Sequence, residues 1–170
     1  DAKLGNLHDY RGFAGRMASG TFRVGDDVLV YPSEMKTKIT GIHTFEGPQP
    51  EAIPQLSYSI TVADEIDTSR GGMIVKAHEP VQTAQEFDAM ICWFADKKTL
   101  KPRGRFHLRH TTNDVRAVVT EVHYKVNIST LEKSAENKEF ALNDIGCVRI
   151  RCAAPIFFDS YTQNRTTGSF

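Results

Sequence analysis

Alternation of apolar and polar residues with a period of two runs through most of the chain and predicts strands. Between Leu56 and Val62 every second residue is apolar, and the residues between them are Ser or Thr. The segment 118–126 shows the same period, which predicts one face made of Val118, Thr120, Val122, Tyr124 and Val126. At 147–152 the apolar set Val148, Ile150 and Cys152 opposes Cys147, Arg149 and Arg151. We therefore expect an all-β fold.

Glycines divide the segment Arg11–Pro32 into short β-branched and aromatic runs. Ser19-Gly20 and Gly25-Asp26 are turn dipeptides, because glycine adopts the positive φ that tight turns require. The segment predicts two strands of a small barrel. Many short antiparallel strands avoid exposed sheet edges by closing into barrels.

A boundary between two domains is predicted near residues 76–85. Pro80 cannot donate to a sheet ladder and biases Glu79 towards extended backbone, which suits a linker. We expect two consecutive small antiparallel β-barrels, over residues 1–80 and 81–170. The chain begins at Asp1 without an initiator Met and stops inside an ordered-looking pattern. We interpret it as a piece of a longer protein, truncated at its C-terminal end.

Charge and cysteine content exclude several classes of protein. The 21 Lys and Arg balance the 21 Asp and Glu, so the chain lacks the strongly basic character of most nucleic-acid-binding domains. It has neither an apolar run long enough for a membrane span nor a signal peptide. Three cysteines in strand-like sequence fit reduced thiols. We expect a cytoplasmic protein without a membrane partner.

Motifs for catalysis are missing from the sequence. It contains no Gly-x-x-x-x-Gly-Lys-Ser/Thr loop, no Gly-x-Ser-x-Gly elbow and no Gly-x-Gly-x-x-Gly turn, so we assign no catalytic and no cofactor-binding residue. The carboxylates Asp64, Glu65 and Asp67 could form an acid pair or a cation site. We favour a solvated turn that is ordered by Arg70.

A zinc site at His107 and His110 is disfavoured by strand parity. Zinc ligands must converge on one point, whereas these two histidines would lie on opposite faces of a strand. Cys147 and Cys152 fail the same test, so we predict no metal site.

A row of cationic residues is the best candidate for partner binding. Such multi-donor side chains on one strand face suit an acidic protein surface or a phosphate. The alternative is the ordinary wet face of a barrel strand. The predicted partner-binding residues are Arg103, Arg105, His107 and Arg109, opposite Phe106, Leu108 and His110.

Several strings resemble the translation-factor GTPases, and their details are similar to the large, GTP-binding subunit of bacterial sulfate adenylyltransferase. The first half contributes Tyr10-Arg11-Gly12-Phe13-Ala14-Gly15, Thr44-Phe45-Glu46-Gly47 and Asp64-Glu65-Ile66-Asp67-Thr68-Ser69-Arg70-Gly71. The second half contributes Leu108-Arg109-His110-Thr111-Thr112, Asn127–Glu132, Leu142–Gly146 and Asp159–Phe170. Gly72 departs from the family, which usually has Asp after this Arg-Gly pair.

The resemblance implies domains II and III of a subunit that couples GTP hydrolysis to the transfer of AMP from ATP to sulfate. Adenylyl transfer would belong to a separate small catalytic subunit, which also binds ATP. GTP and magnesium would bind in an N-terminal G domain. The chain would then be a non-catalytic docking and coupling portion, with that small subunit and its own G domain as partners. The alternative is an RNA- or tRNA-binding module, which the neutral charge disfavours.

Overall fold

Residues 10–170 are described by a computed structural model, and the first nine residues of the predicted first domain lie outside it. The described chain contains strands and turns but no helix. It forms two compact units: residues 10–81 together with 159–169, and residues 82–158 together with Phe170. Every strand pair recorded among these residues is antiparallel, which confirms the all-β prediction.

Eight strands form the described part of the first unit. Their order across the larger sheet is first, seventh, fourth, third, eighth, with the fifth paired to the fourth. The second and sixth strands make a separate two-stranded ladder. The strands are β1 Phe13–Arg16, β2 Phe22–Arg23, β3 Asp27–Tyr31, β4 Met35–Thr44, β5 Gly47–Pro48, β6 Glu51–Ala52, β7 Ser57–Val62 and β8 Met73–Lys76.

The glycine-rich segment 11–32 therefore holds three short strands, β1 to β3, where the pattern predicted two. Its predicted turns are confirmed, because Gly20 and Gly25 adopt φ values of 69° and 96°. The Gly25 N–H donates to the Ile39 carbonyl at 2.8 Å, which ties the turn to β4. Val28 and Ile39 are almost wholly buried in the core of the first unit.

The segment Asp159–Ser169 belongs to the first unit. Its Asn164 side chain donates to the Ser19 hydroxyl at 2.9 Å, and the Thr167 hydroxyl donates to Asp159. Gly168 lies so close to Tyr161 that an added Cβ would stand 2.5 Å from its Cα. The segment is thus a tightly folded turn that requires glycine at position 168.

Five strands form the second unit. The sheet order is tenth, eleventh, thirteenth, ninth, with the twelfth paired to the eleventh. The strands are β9 Gln82–Cys92, β10 Arg105–His110, β11 Asn113–Val126, β12 Lys133–Ser134 and β13 Ile145–Phe158. Within the described residues the recorded ladders do not join the end strands of either large sheet. Closure into barrels and the boundary at residue 80 stay predictions.

The predicted face of β11 is wrong at Val122. Its register against β13 shifts between Val119 and Glu121 and again between Val122 and Tyr124. An extra residue at each shift reverses the parity of the residues after it. Val119 and Val122 therefore both enter the core, although an unbroken strand would place them on opposite faces. Tyr124 and Val126 share the outward face of Val118, as predicted, whereas Val122 faces the core.

Phe140 closes the core of the second unit from a loop. It is 0% exposed, and it exchanges both backbone hydrogen bonds with Leu100, at 2.8 and 3.0 Å. A Cβ on Gly146 would stand 2.8 Å from the Phe140 ring and 2.2 Å from the Tyr124 carbonyl. Glycine at position 146 therefore lets β13 approach both groups.

Phe140→Ala should lower the free energy of unfolding of the second unit by about 3–5 kcal/mol, because it removes a buried aromatic ring and leaves a cavity. Trp93, the single tryptophan, lies in this unit and reports urea unfolding by its fluorescence. The matched control is Phe94→Ala, since Phe94 is 74% exposed and should change stability by less than about 0.5 kcal/mol. Equal effects of the two substitutions would contradict this account of the core.

A candidate partner-binding face

The predicted cationic row lies on the outward face of β10. Arg105, His107 and Arg109 are exposed, whereas Leu108 and His110 are buried, so the predicted alternation is confirmed for this strand. Arg103 is also exposed but precedes the strand. It occupies a turn with a φ of 68°, and its N–H donates to the Val119 carbonyl at 2.8 Å.

Asp114 on β11 neutralises part of this row. One carboxylate oxygen lies 2.9 Å from the Nδ1 atom of His107, and the other accepts from Nε of Arg109 at 3.0 Å. These two hydrogen bonds, that of His107 first, hold the pKa of Asp114 below its usual range. His107 and Arg109 are therefore already engaged within the unit.

Arg105 and Arg116 carry the unbalanced charge. Arg116 opposes His107 across the β10–β11 ladder, and Arg105 opposes Val118, so both side chains project from the same outward face. Neither forms an ion pair with another described residue. Together with Arg103 at the edge, they are cationic groups without an ion-pair partner among the described residues. Arg116 is absent from the residues predicted from sequence, although its polar position between Val115 and Ala117 was a usable signal.

Farther across the same face the charges are paired. Asp88 accepts two hydrogen bonds from Arg149, at 2.8 and 3.1 Å, and lies 2.9 Å from Nε2 of His123. The Arg149 bonds, followed by that of His123, lower the pKa of Asp88 strongly. Glu86 pairs with Arg151 at 3.0 Å in the adjacent row, and this contact lowers the pKa of Glu86. This internally satisfied network is a structural part of the sheet.

The last rows of the outward face change from charged to apolar. The register places Cys92 opposite Ile145, and Cys147 between Met90 and Tyr124. Met90 and Cys92 follow Asp88 at intervals of two residues, and Cys147 precedes Arg149 by two residues. They therefore share the outward face of Asp88 and Arg149 and point away from the core. The outward apolar set is Met90, Cys92, Tyr124, Val126, Ile145 and Cys147.

The histidine pair and the carboxylate cluster, the other candidate sites from the sequence, lie outside this row of arginines. His107 and His110 lie on opposite faces of β10, as the parity argument predicted. Asp67 forms an ion pair with Arg11, so the carboxylate turn is tied to the segment that leads into β1. Across residues 10–170 no group of three His, Cys, Asp or Glu side chains is placed to hold a metal ion. The same range contains no helix that is long and apolar enough to cross a membrane.

Comparison with known proteins decides the family. Residues 86–170 match the family described as GTP-eEF1A C-terminal domain-like, and residues 14–82 match elongation factor Tu domain 2. The chain belongs to the GTP-eEF1A C-terminal domain-like family. It is 41% identical over 162 residues to the bifunctional enzyme CysN/CysC of Mycobacterium tuberculosis, covering 95% of this chain and 26% of that protein.

A second relative supports the detailed resemblance. The sulfate adenylyltransferase subunit 1 of Aeromonas salmonicida is 37% identical over 162 residues, which cover 95% of this chain and 34% of that protein. The predicted resemblance to the large subunit of sulfate adenylyltransferase is thereby confirmed. The chain spans about a quarter to a third of the length of these curated relatives.

Solved structures share the fold at low sequence identity. A structure of sup35 complexed with GMPPNP has a TM-score of 0.76 and 14% identity, covering 91% of this chain and 38% of its own. The apo form of translation elongation factor SelB from Methanococcus maripaludis has a TM-score of 0.69 and 22% identity, covering 86% and 32%. These structures establish the translation-factor fold of the chain.

The Asp88 network should contribute to stability in a pH-dependent way. Because folding lowers the pKa of Asp88, its contribution is full above the ordinary carboxyl pKa, near 4, and is lost as the pH falls through the lower folded value. Asp88→Asn should therefore cost about 0.5–1 kcal/mol at pH 6, a modest value because the pair is solvent-screened.

Urea unfolding at pH 6 and pH 3, followed by Trp93 fluorescence, measures this cost. The gap between wild type and Asp88→Asn should narrow at pH 3. The control Asp96→Asn changes an exposed carboxylate outside the recorded ion pairs and should show no such gap at either pH. A gap of equal size at both pH values would contradict the assigned network.

Proposed function

We propose that this chain is a non-catalytic docking and coupling portion of the GTP-dependent large subunit of a sulfate adenylyltransferase. The observation that carries the proposal is the similarity to sulfate adenylyltransferase subunit 1 along 95% of the chain. The whole enzyme would make adenosine 5′-phosphosulfate and pyrophosphate from ATP and sulfate in the cytoplasm. Neither half of the sequence contains a nucleophile-elbow motif or a phosphate-binding-loop motif for that chemistry.

Nucleotide chemistry is assigned to other parts of the enzyme. GTP and magnesium would bind in the G domain, and ATP would bind in the small catalytic subunit. The described residues do not fit these groups, since the sequence lacks the glycine loop and its Lys-Ser/Thr that hold phosphates and magnesium. The role left to the two units is mechanical: they hold the small subunit and transmit the nucleotide state of the G domain.

Within this role, the outward face of β10 and β11 is the proposed contact with the small subunit. Arg105 and Arg116 present guanidinium groups that match carboxylates in planar, two-point geometry. Neither guanidinium forms an ion pair with another described residue, whereas His107 and Arg109 both pair with Asp114. An acidic patch on the small subunit would complete this face and would speed association.

Arg105→Glu and Arg116→Glu should each weaken the complex between the full-length large subunit and the small subunit by about 10-fold or more, since like charges would meet at the interface. Binding is measured by titration calorimetry at two salt concentrations, and the loss should shrink at high salt. Lys36→Glu on the first unit is the control of equal charge change and should bind as wild type.

Two outcomes would count against the proposal. Equal weakening by all three substitutions would show a general charge effect and no defined face. Salt-dependent binding of tRNA by the wild-type protein, abolished by Arg105→Glu, would support the RNA-binding alternative. Circular dichroism of each variant separates loss of binding from loss of fold.

A further inference from the structure

The sheet of the second unit brings three sulfur-bearing side chains to one outward patch. Met90 opposes Cys147 on the neighbouring strand, and Cys92 follows Met90 by two residues on the same face. Cys92 and Cys147 are therefore diagonal neighbours, a relation that sets Cα atoms about 7–8 Å apart. Cys152, the remaining cysteine, is buried on the core side.

Tyr124 contacts one of these sulfur atoms, since its hydroxyl donates to the sulfur of Met90 at 3.7 Å. Cys147 lies between Tyr124 and Met90 in the register of the sheet. This outward row therefore places a thioether and a thiol side by side, and the exposed Cys92 lies in the next row.

Such a set of ligands is chemically selective. Thiolate and thioether sulfur are soft donors that prefer Cu(I), whereas carboxylates and carbonyls suit Mg²⁺ and Ca²⁺. A diagonal cysteine pair is too widely spaced for an unstrained disulfide, whose Cα atoms lie within about 6.8 Å. A metal ion bridges a larger gap, because each metal–sulfur bond adds about 2.3 Å.

We propose that Met90, Cys92 and Cys147 form a binding site for a soft monovalent cation, with Cu(I) as its representative. Binding forms two thiolate–metal bonds and one thioether–metal bond. It breaks the two S–H bonds, whose protons pass to solvent, and no electron is transferred. Because both thiols must lose their protons to bind the metal, affinity should increase with pH.

The test is an anaerobic competition between the protein and a chromophoric Cu(I) chelator, with a non-thiol reductant present. Wild type should take up one Cu(I) per chain and develop ultraviolet thiolate-to-copper absorption. Loss of a group that hydrogen-bonds to a metal ligand weakens metal binding by roughly 10- to 100-fold. Because Cys92→Ser and Cys147→Ser remove ligands themselves, each should weaken Cu(I) binding by roughly 100-fold or more. Met90→Leu should weaken binding by roughly 10-fold.

The matched controls change a methionine and a cysteine that lie outside the proposed site. Met35→Leu changes another exposed methionine, and Cys152→Ala changes the core cysteine; both should keep the wild-type affinity. The proposal is overturned if Cys152→Ala weakens binding as much as Cys92→Ser while the fold, checked by Trp93 fluorescence, is kept. It is also overturned by uptake well below one Cu(I) per chain, or by a Cys92–Cys147 disulfide in the mass of the purified protein.

Discussion

The ladder between β11 and β13 is the constraint on which the second unit depends. These are its two longest strands, and they carry β10, β12 and β9 on their outer edges. The two register shifts in this ladder decide which side chains reach the core. The first admits Val122 to the core together with Val119, and the second returns Tyr124 to the outward face. Both the core and the exposed chemistry follow from this one irregularity.

Strand parity predicts a face well only where pairing is regular. The β10 strand pairs with β11 without a shift over all six residues, so the outward positions of Arg105, His107 and Arg109 could be predicted from sequence. The set Val148, Ile150 and Cys152 was predicted correctly because the extra residues lie on β11, so β13 itself alternates without interruption there. On β11 the extra residues are Thr120 and His123, which continue the alternation of polar and apolar residues, and nothing in that local pattern marks a bulge.

The remaining differences between the sequence-based predictions and the structure arise from contacts between residues that are distant in sequence. The return of Asp159–Ser169 to the first unit depends on Asn164 meeting Ser19, which are distant in sequence. Cross-strand register decides which charges on the outward face are paired. It places Asp88 opposite Arg149, but it places Arg105 opposite the uncharged Val118. Local sequence reveals that these residues are polar and exposed. It does not reveal which of them will be neutralised by a neighbour.

The outward face of the second unit consequently has three regions with different physical roles. Where acids and bases align, as at Asp88 and Arg149, they satisfy each other and add to the sheet's stability. Where a cation faces an apolar neighbour, as Arg105 faces Val118, its charge stays without an ion-pair partner among the described residues. Where the ladder ends in sulfur and aromatic groups, charge is replaced by soft donors. A protein partner and a soft cation would therefore use separate rows of one sheet, and the register places the paired Asp88–Arg149 row between them.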